Sequence, residues 1–148
     1  MIIKEVIGNL SKDELKGRPV ERIYLKWDEM EKRILRKVTD RGTEVGIVLE
    51  GTRRLKHGDV LYAGPDRVIV VELLATKAIV LQPSNLREMA QVCYQLGNRH
   101  AQIFLEGNEV LVPYDPTIIE LFHKLGFQVK IEERRLEHAL QPASGHHL

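Results

Sequence analysis

The order in which hydrophobic periods follow one another between residues 77 and 133 narrows the available folds more than any other feature of this chain. "KAIVLQ" (77–82) is a short apolar run stopped by Pro83, the mark of a buried strand. Pro83 and Ser84 signal a helix start, with Ser84 placed to cap it. Leu86, Met89, Ala90, Cys93 and Leu96 fall on one face at helical spacing, and Gly97 offers a positive-φ end to the helix. "AQIFLEG" (101–107) and "EVLVPY" (109–114) flank Gly107-Asn108, a tight-hairpin signal. Asp115 predicts an N-cap with Pro116 in the first helical position. Ile118, Leu121, Phe122 and Leu125 make a second helical stripe, Gly126 ends it, and "FQVKIEE" (127–133) is a last strand.

Strand, helix, strand, strand, helix, strand in under 60 residues is the ferredoxin-like arrangement. Its right-handed crossovers put both helices on one face of the sheet. The first half follows a different grammar. "IIKEVIG" (2–8), "RIYLKW" (22–27), "RILRKVT" (33–39) and "TEVGIVLE" (43–50) read as strands, and "DEMEKR" (28–33) is a polar connection with room for one helical turn. Turns fall at "DRG" (40–42), His57-Gly58-Asp59 and Gly64-Pro65-Asp66. The expectation is an α+β protein: an all-β domain over residues 1–74, then a ferredoxin-like βαββαβ domain over 75–148. "EHALQPASGHHL" (137–148) has no apolar period and reads as a loose tail.

Charge excludes some partners. Lys plus Arg number 22 and Asp plus Glu 21, so nothing pulls the chain toward nucleic acid or an anionic membrane. Cys93 is the single cysteine, which rules out an intramolecular disulfide and a thiolate cage within one chain. The opening "MIIKEVIGNL" is too short and too charged for a signal peptide, and no apolar run approaches a membrane span. The expected location is the cytoplasm. Enzyme motifs are scarce: G-x-x-x-x-G-K-[ST], G-x-G-x-x-G and H-E-x-x-H are all missing. No catalytic residue is assigned. Ser84 reads as a cap rather than a nucleophile, and Cys93 as a buried thiol.

That leaves the histidines at 57, 100, 123, 138, 146 and 147. His57 and His123 read as surface residues. His146 and His147 are adjacent; a generic polar terminus accounts for them, and imidazole pairs on a flexible segment are also good ligands for nickel, copper or zinc. His100 stands in "GNRH" (97–100), where a helix gives way to a strand. Gly97 would end the helix, Asn98 occupy the turn, and Arg99 bond free helix carbonyls or a carboxylate. From spacing alone, a satisfied histidine that helps cap the helix is the simpler account of His100.

"LGNRH", a strand, a hairpin, "YDPTIIELFHKLG" and "QVKIEERRLE" together resemble the family of urease accessory protein UreE, the nickel metallochaperones. "WDEMEKRILRK" and "LKHGDVLY" resemble its N-terminal domain, so the likeness covers nearly the whole chain. The resemblance implies an N-terminal β domain that binds a partner or peptide, and a ferredoxin-like domain that binds metal and forms a homodimer. It implies that His100 of both protomers holds Ni2+ (Zn2+ or Cu2+ being further candidates), completed by the tail histidines His146 and His147. Gly97, Asn98 and Arg99 would support that site. The implied partners are an accessory GTPase and the urease maturation complex, with no nucleic acid and no membrane. "GHHL" at the end is short beside the histidine-rich tails of some relatives, and Val110, Leu111 and Val112 stand where others place further histidines.

Two other classes compete. An RNA-binding module on a ferredoxin-like sheet wants exposed aromatics on central strands, and Phe104 is the one aromatic in its strand. A small phosphatase-like enzyme would use Asn98 and Arg99 on phosphate and needs a loop of convergent backbone N–H groups.

Overall fold

A computed structural model describes residues 1–9, 17–51 and 54–141. The chain divides into two compact units, Met1–Leu74 and Ala75–Leu148.

The first unit contains strands β1 (Ile2–Ile3), β2 (Gly8–Asn9), β3 (Val20–Leu25), β4 (Ile34–Val38), β5 (Glu44–Val48), β6 (Asp59–Ala63) and β7 (Val68–Leu73). They make two sheets, ordered β1-β5-β4 and β2-β6-β7-β3. The strand expected over 2–8 is therefore two. Ile2 pairs with Gly46 in one sheet, and Gly8 pairs with Val60 in the other, so the residues between them change sheets. The expected strand over 22–27 starts and ends earlier, because Trp27–Glu29 form a 3-10 turn in which the Glu29 carboxylate accepts the Lys26 N–H at 2.9 Å. Inward residues of both sheets, among them Ile23, Leu25, Val45, Ile47, Ile69 and Val71, form one apolar cluster.

One buried carboxylate fastens the sheets together. Glu21 on β3 is 4% exposed. It accepts hydrogen bonds from the hydroxyls of Thr39 (2.6 Å) and Thr43 (2.7 Å), which flank the β4–β5 turn, and Arg67 Nε lies 3.4 Å away. These two hydroxyl bonds, then Arg67, hold its carboxyl below the usual range against the opposing effect of burial.

The second unit contains β8 (Thr76–Leu81), α1 (Leu86–Asn98), β9 (Phe104–Glu106), β10 (Glu109–Pro113), α2 (Pro116–Lys124) and β11 (Lys130–Arg134). The sheet runs β11-β8-β10-β9 with every neighbouring pair antiparallel. This is the βαββαβ arrangement that the apolar periods predict. Ile79, Leu81, Val110 and Val112 share one face by register and pack with Val92, Leu96, Ile118 and Phe122, so both helices cover that face. Phe127 meets Phe122 edge to face at 5.7 Å and closes the end of this core.

The sheet is strongly coiled. Arg134 pairs with Thr76 at one end of β8, whereas Glu109 bonds Gln82 just past the other end. Yet Arg134 Nη2 lies 2.7 Å from Glu109 Oε1 and 3.1 Å from Glu106 Oε2. Only a sheet whose diagonal corners approach one another allows this. The side away from the helices is correspondingly closed: Ala78, Val80, Phe104 and Leu111 are buried on it.

Not all of the segment read as a loose tail is loose. Leu136, just ahead of it, is 3% exposed, and Ala139 forms an antiparallel bridge with Phe104 on the outer edge of β9. An edge strand with unpaired backbone groups accepts any extended segment that can reach it, and the coil brings the chain within reach.

Candidate metal centre

Helix α1 opens with an Asn cap rather than the expected Ser84. Asn85 Oδ1 accepts the Glu88 N–H at 2.9 Å, and the Glu88 carboxylate accepts the Ser84 N–H at 2.8 Å. Two free donors are satisfied reciprocally, with the register one residue later than Pro83-Ser84 suggests. The buried stripe also differs from the expected one. Val92 and Leu96 are the buried positions, with Met89 and Cys93 half-buried against the core. Leu86 is 85% exposed and Ala90 is exposed, so both lie outside the stripe. With Tyr94, 65% exposed, they repeat every fourth residue along the outer face.

The end of α1 gives the main correction. Gly97 is not the residue with positive φ; the helix runs through it to Asn98, and Arg99 is the C-cap. His100 takes the left-handed conformation at φ 56°. Its N–H bonds the Gly97 carbonyl at 3.0 Å, and the Ala101 N–H bonds the Leu96 carbonyl at 3.1 Å. This pair is the Schellman motif, with a histidine where glycine is usual. The left-handed conformation costs an L-residue about 1–2 kcal/mol. The motif favours an apolar residue immediately after the left-handed one, packed against the last helical turn. Ala101 fits that place and joins Leu96 in the core, whereas ending at Gly97 would have put polar Asn98 there. That signal was available in the sequence.

Arg99 ties this turn to the second helix. Its guanidinium donates to Thr117 Oγ1 at 3.3 Å, and Thr117 Oγ1 donates to Asp115 Oδ1 at 2.8 Å. Asp115 also caps α2 by accepting the Thr117 N–H at 2.9 Å, as the sequence predicts. Bonds from Thr117, with a smaller contribution from Arg99, hold the Asp115 carboxyl below its ordinary range. Asn98 is the last helical residue, not a turn residue. The side chain of His100 is exposed. The arrangement is thus one solvent-facing imidazole on backbone fixed from two sides.

The other candidates separate from it. His57 is half-buried and structural rather than a free surface group, since its Nδ1 accepts the Leu73 N–H at 3.0 Å. His123 is exposed in the last turn of α2. His138 is exposed with φ 60°, and its carbonyl accepts the Leu105 N–H at 3.2 Å. Cys93 faces Met89 Sδ at 3.9 Å, and burial pushes its thiol pKa up, which suits an inert core residue. His146 and His147 lie outside the described residues. Among the described residues no three histidine, cysteine, aspartate or glutamate side chains gather as a metal cage. Val110, Leu111 and Val112 are buried and apolar, so none of the three places carries a ligand. Phe104 is buried as well, so the aromatic that an RNA-binding sheet would present is not available. No helix among the described residues is long and apolar enough to cross a membrane.

Comparison with known proteins covers both units. Residues 3–74 match the family described as UreE urease accessory protein, N-terminal domain. Residues 66–147 match its C-terminal domain. The urease accessory protein UreE of Haemophilus influenzae (strain PittEE) is 43% identical over 152 residues, covering 98% of this chain and 82% of the relative. Those of Bacillus sp. (strain TB-90) and Halalkalibacterium halodurans are 35% and 39% identical, each over 147 residues, with 99% of this chain covered.

Proposed function

This chain belongs to the UreE family of urease accessory proteins, and from that premise we propose that it carries Ni2+ to urease during assembly of the urease active site. An accessory protein of this kind serves urease maturation and is not itself an enzyme. The observation that carries the nickel reading is His100: an exposed imidazole held in a strained left-handed conformation at a helix end. Strain of this kind persists where surrounding structure over-determines it, and it concentrates at functional sites.

One imidazole is too few for a metal site, and a homodimer supplies the second. Leu86, Ala90 and Tyr94 give α1 an apolar outer face that leads to His100. A two-fold axis beside that face would bring His100 of both protomers to one ion. His146 and His147 would complete the coordination, and Gly97, Asn98 and Arg99 would hold the turn. Neutral imidazoles also bind Zn2+ and Cu2+, so nickel identity would be set by supply and partners.

The first unit, residues 1–74, would contact partners: the accessory GTPase and the urease maturation complex, in the cytoplasm. Its β1-β5-β4 sheet exposes Ile2, Ile34, Val38 and Val48 on one face by register, with Arg36 among them. Apolar residues around an arginine are the usual composition of a recognition surface.

Calorimetric titration of Ni2+ into the wild type and His100→Ala tests the proposal, with sedimentation to monitor association. The expected outcome is loss of the tightest site with the dimer retained. Unchanged tight binding would overturn the assignment of His100.

A further inference from the structure

We propose that the segment from Leu136 to Leu140 is a positioning strap, which fixes where the histidine-bearing end of the chain begins and aims it at His100. The proposal rests on the reading of His100, His146 and His147 as ligands and adds the element that makes their meeting probable.

Two backbone hydrogen bonds define the strap and together make the bridge between Ala139 and Phe104. The Leu105 N–H bonds the His138 carbonyl at 3.2 Å, and the Leu140 N–H bonds the Ile103 carbonyl at 2.8 Å. Gln102 Nε2 adds a long contact to the Leu140 carbonyl at 3.5 Å. Leu136 is buried and anchors the start. His138, at φ 60°, redirects the chain onto the β9 edge, a second left-handed histidine whose strain the strap must offset.

Direction is the informative part. The pairing is antiparallel, so the strap passes Leu105, then Phe104, then Ile103, and leaves Gln141 heading toward Ala101 and His100. His100 is three residues before Ile103, at most about 10 Å of chain. His146 is five residues beyond Gln141, with an extended reach of roughly 17 Å. From this origin a tail imidazole can meet His100. If the strap were released, the tether would start at Leu136 and double from five residues to ten. Effective concentration falls about as the −3/2 power of tether length, a loss of roughly threefold for each tail engaged.

Leu140→Pro removes the N–H that bonds Ile103, and Leu140→Ala keeps it. Both are made in the full chain. The first measurement needs no metal. In a Cys93→Ala background, a nitroxide on Ser144→Cys should broaden the amide resonances of Ala101 and Gln102, and Leu140→Pro but not Leu140→Ala should relieve the broadening. Absence of broadening in the parent, or equal broadening in all three, would overturn the strap whatever the ligands prove to be. The second measurement is competition titration with Ni2+. Leu140→Pro should lose roughly threefold to tenfold in affinity. A four-residue Gly-Ser insertion after Gln141 spares every strap bond and should cost about twofold to sixfold by the same scaling. Broadening as expected with unchanged affinity in both variants would overturn the strap's role in metal binding and would point to tail residues that are not ligands. His100→Ala with undiminished affinity would instead overturn the underlying reading of His100.

Discussion

Replacing His100 by glycine separates the two things this residue does. The wild-type side chain is exposed, so its removal forfeits little burial. The backbone at φ 56° costs an L-residue about 1–2 kcal/mol that glycine does not incur. Glycine loses roughly 0.5–1 kcal/mol more chain entropy on folding. The difference predicts that His100→Gly is more stable than wild type by about 0.5–1 kcal/mol without metal, or roughly 2–8 °C for a unit of this size. His100→Ala keeps the left-handed cost and should gain nothing. Both should lose the tightest nickel site. The assay has a built-in control, because both α-helices of the described residues lie in the second unit and the single tryptophan, Trp27, lies in the first. Urea unfolding in chelator, at fixed protomer concentration, would be followed by helical circular dichroism and by tryptophan fluorescence. Only the helical signal should shift. If His100→Gly and His100→Ala unfold at the same urea concentration, the helix end stores no strain and the argument for a functional constraint there fails.

Three further outcomes concern the site and the first unit. Deleting residues 144–148 should weaken nickel binding and make its dependence on pH between about 7.5 and 5.5 shallower, because imidazoles bind metal only when neutral and titrate near pH 6.5; titrations giving the same affinity and slope with and without these residues would remove His146 and His147 from the site. Glu21 has a depressed carboxyl pKa, so its contribution to stability is present above the ordinary value of 4.5 and disappears as pH falls through the lower folded value. Glu21→Gln should therefore flatten the acid dependence of the Trp27-monitored transition, and Thr39→Val should cost about 1–3 kcal/mol at neutral pH by stripping a bond from a buried carboxylate. Wild-type acid sensitivity in Glu21→Gln would show that another group governs it.

Local chemistry made much of the second unit legible. Asp115 and Pro116 predict the start of α2 because a cap and a first-turn proline act within four residues. The βαββαβ order is legible because periods of 2 and 3.6 differ even in short windows. At α1, local signals misled. Gly97 can end a helix, but the apolar pair Leu96 and Ala101 placed the end three residues later and imposed the cost on His100. Leu86 and Ala90 fit the helical period yet lie outside the buried stripe, since period alone does not choose between adjoining faces. Arg134 reaching Glu109, and the strap on β9, depend on the coil of the whole sheet, which no window of sequence encodes.

The same distinction explains why the candidate centre is so sparse within one chain. A resident metal in a closed site draws several ligands from nearby positions, and such clusters show as short spacings of histidine, cysteine or carboxylate. Here the described residues supply, at the candidate centre, one exposed imidazole on a fixed backbone and no cage. On the proposed reading, the missing ligands are a symmetry copy and the chain end, so assembly rather than spacing builds the coordination. A site assembled this way can be dismantled by withdrawing one tail, at the cost of one or two bonds instead of a whole coordination sphere. The proposed strap would keep the withdrawn imidazoles near, so reloading would be a local event rather than an encounter at bulk concentration. On that reading His100 would supply geometry and the strapped end exchange, a division of roles suited to a carrier that must release its metal as well as bind it.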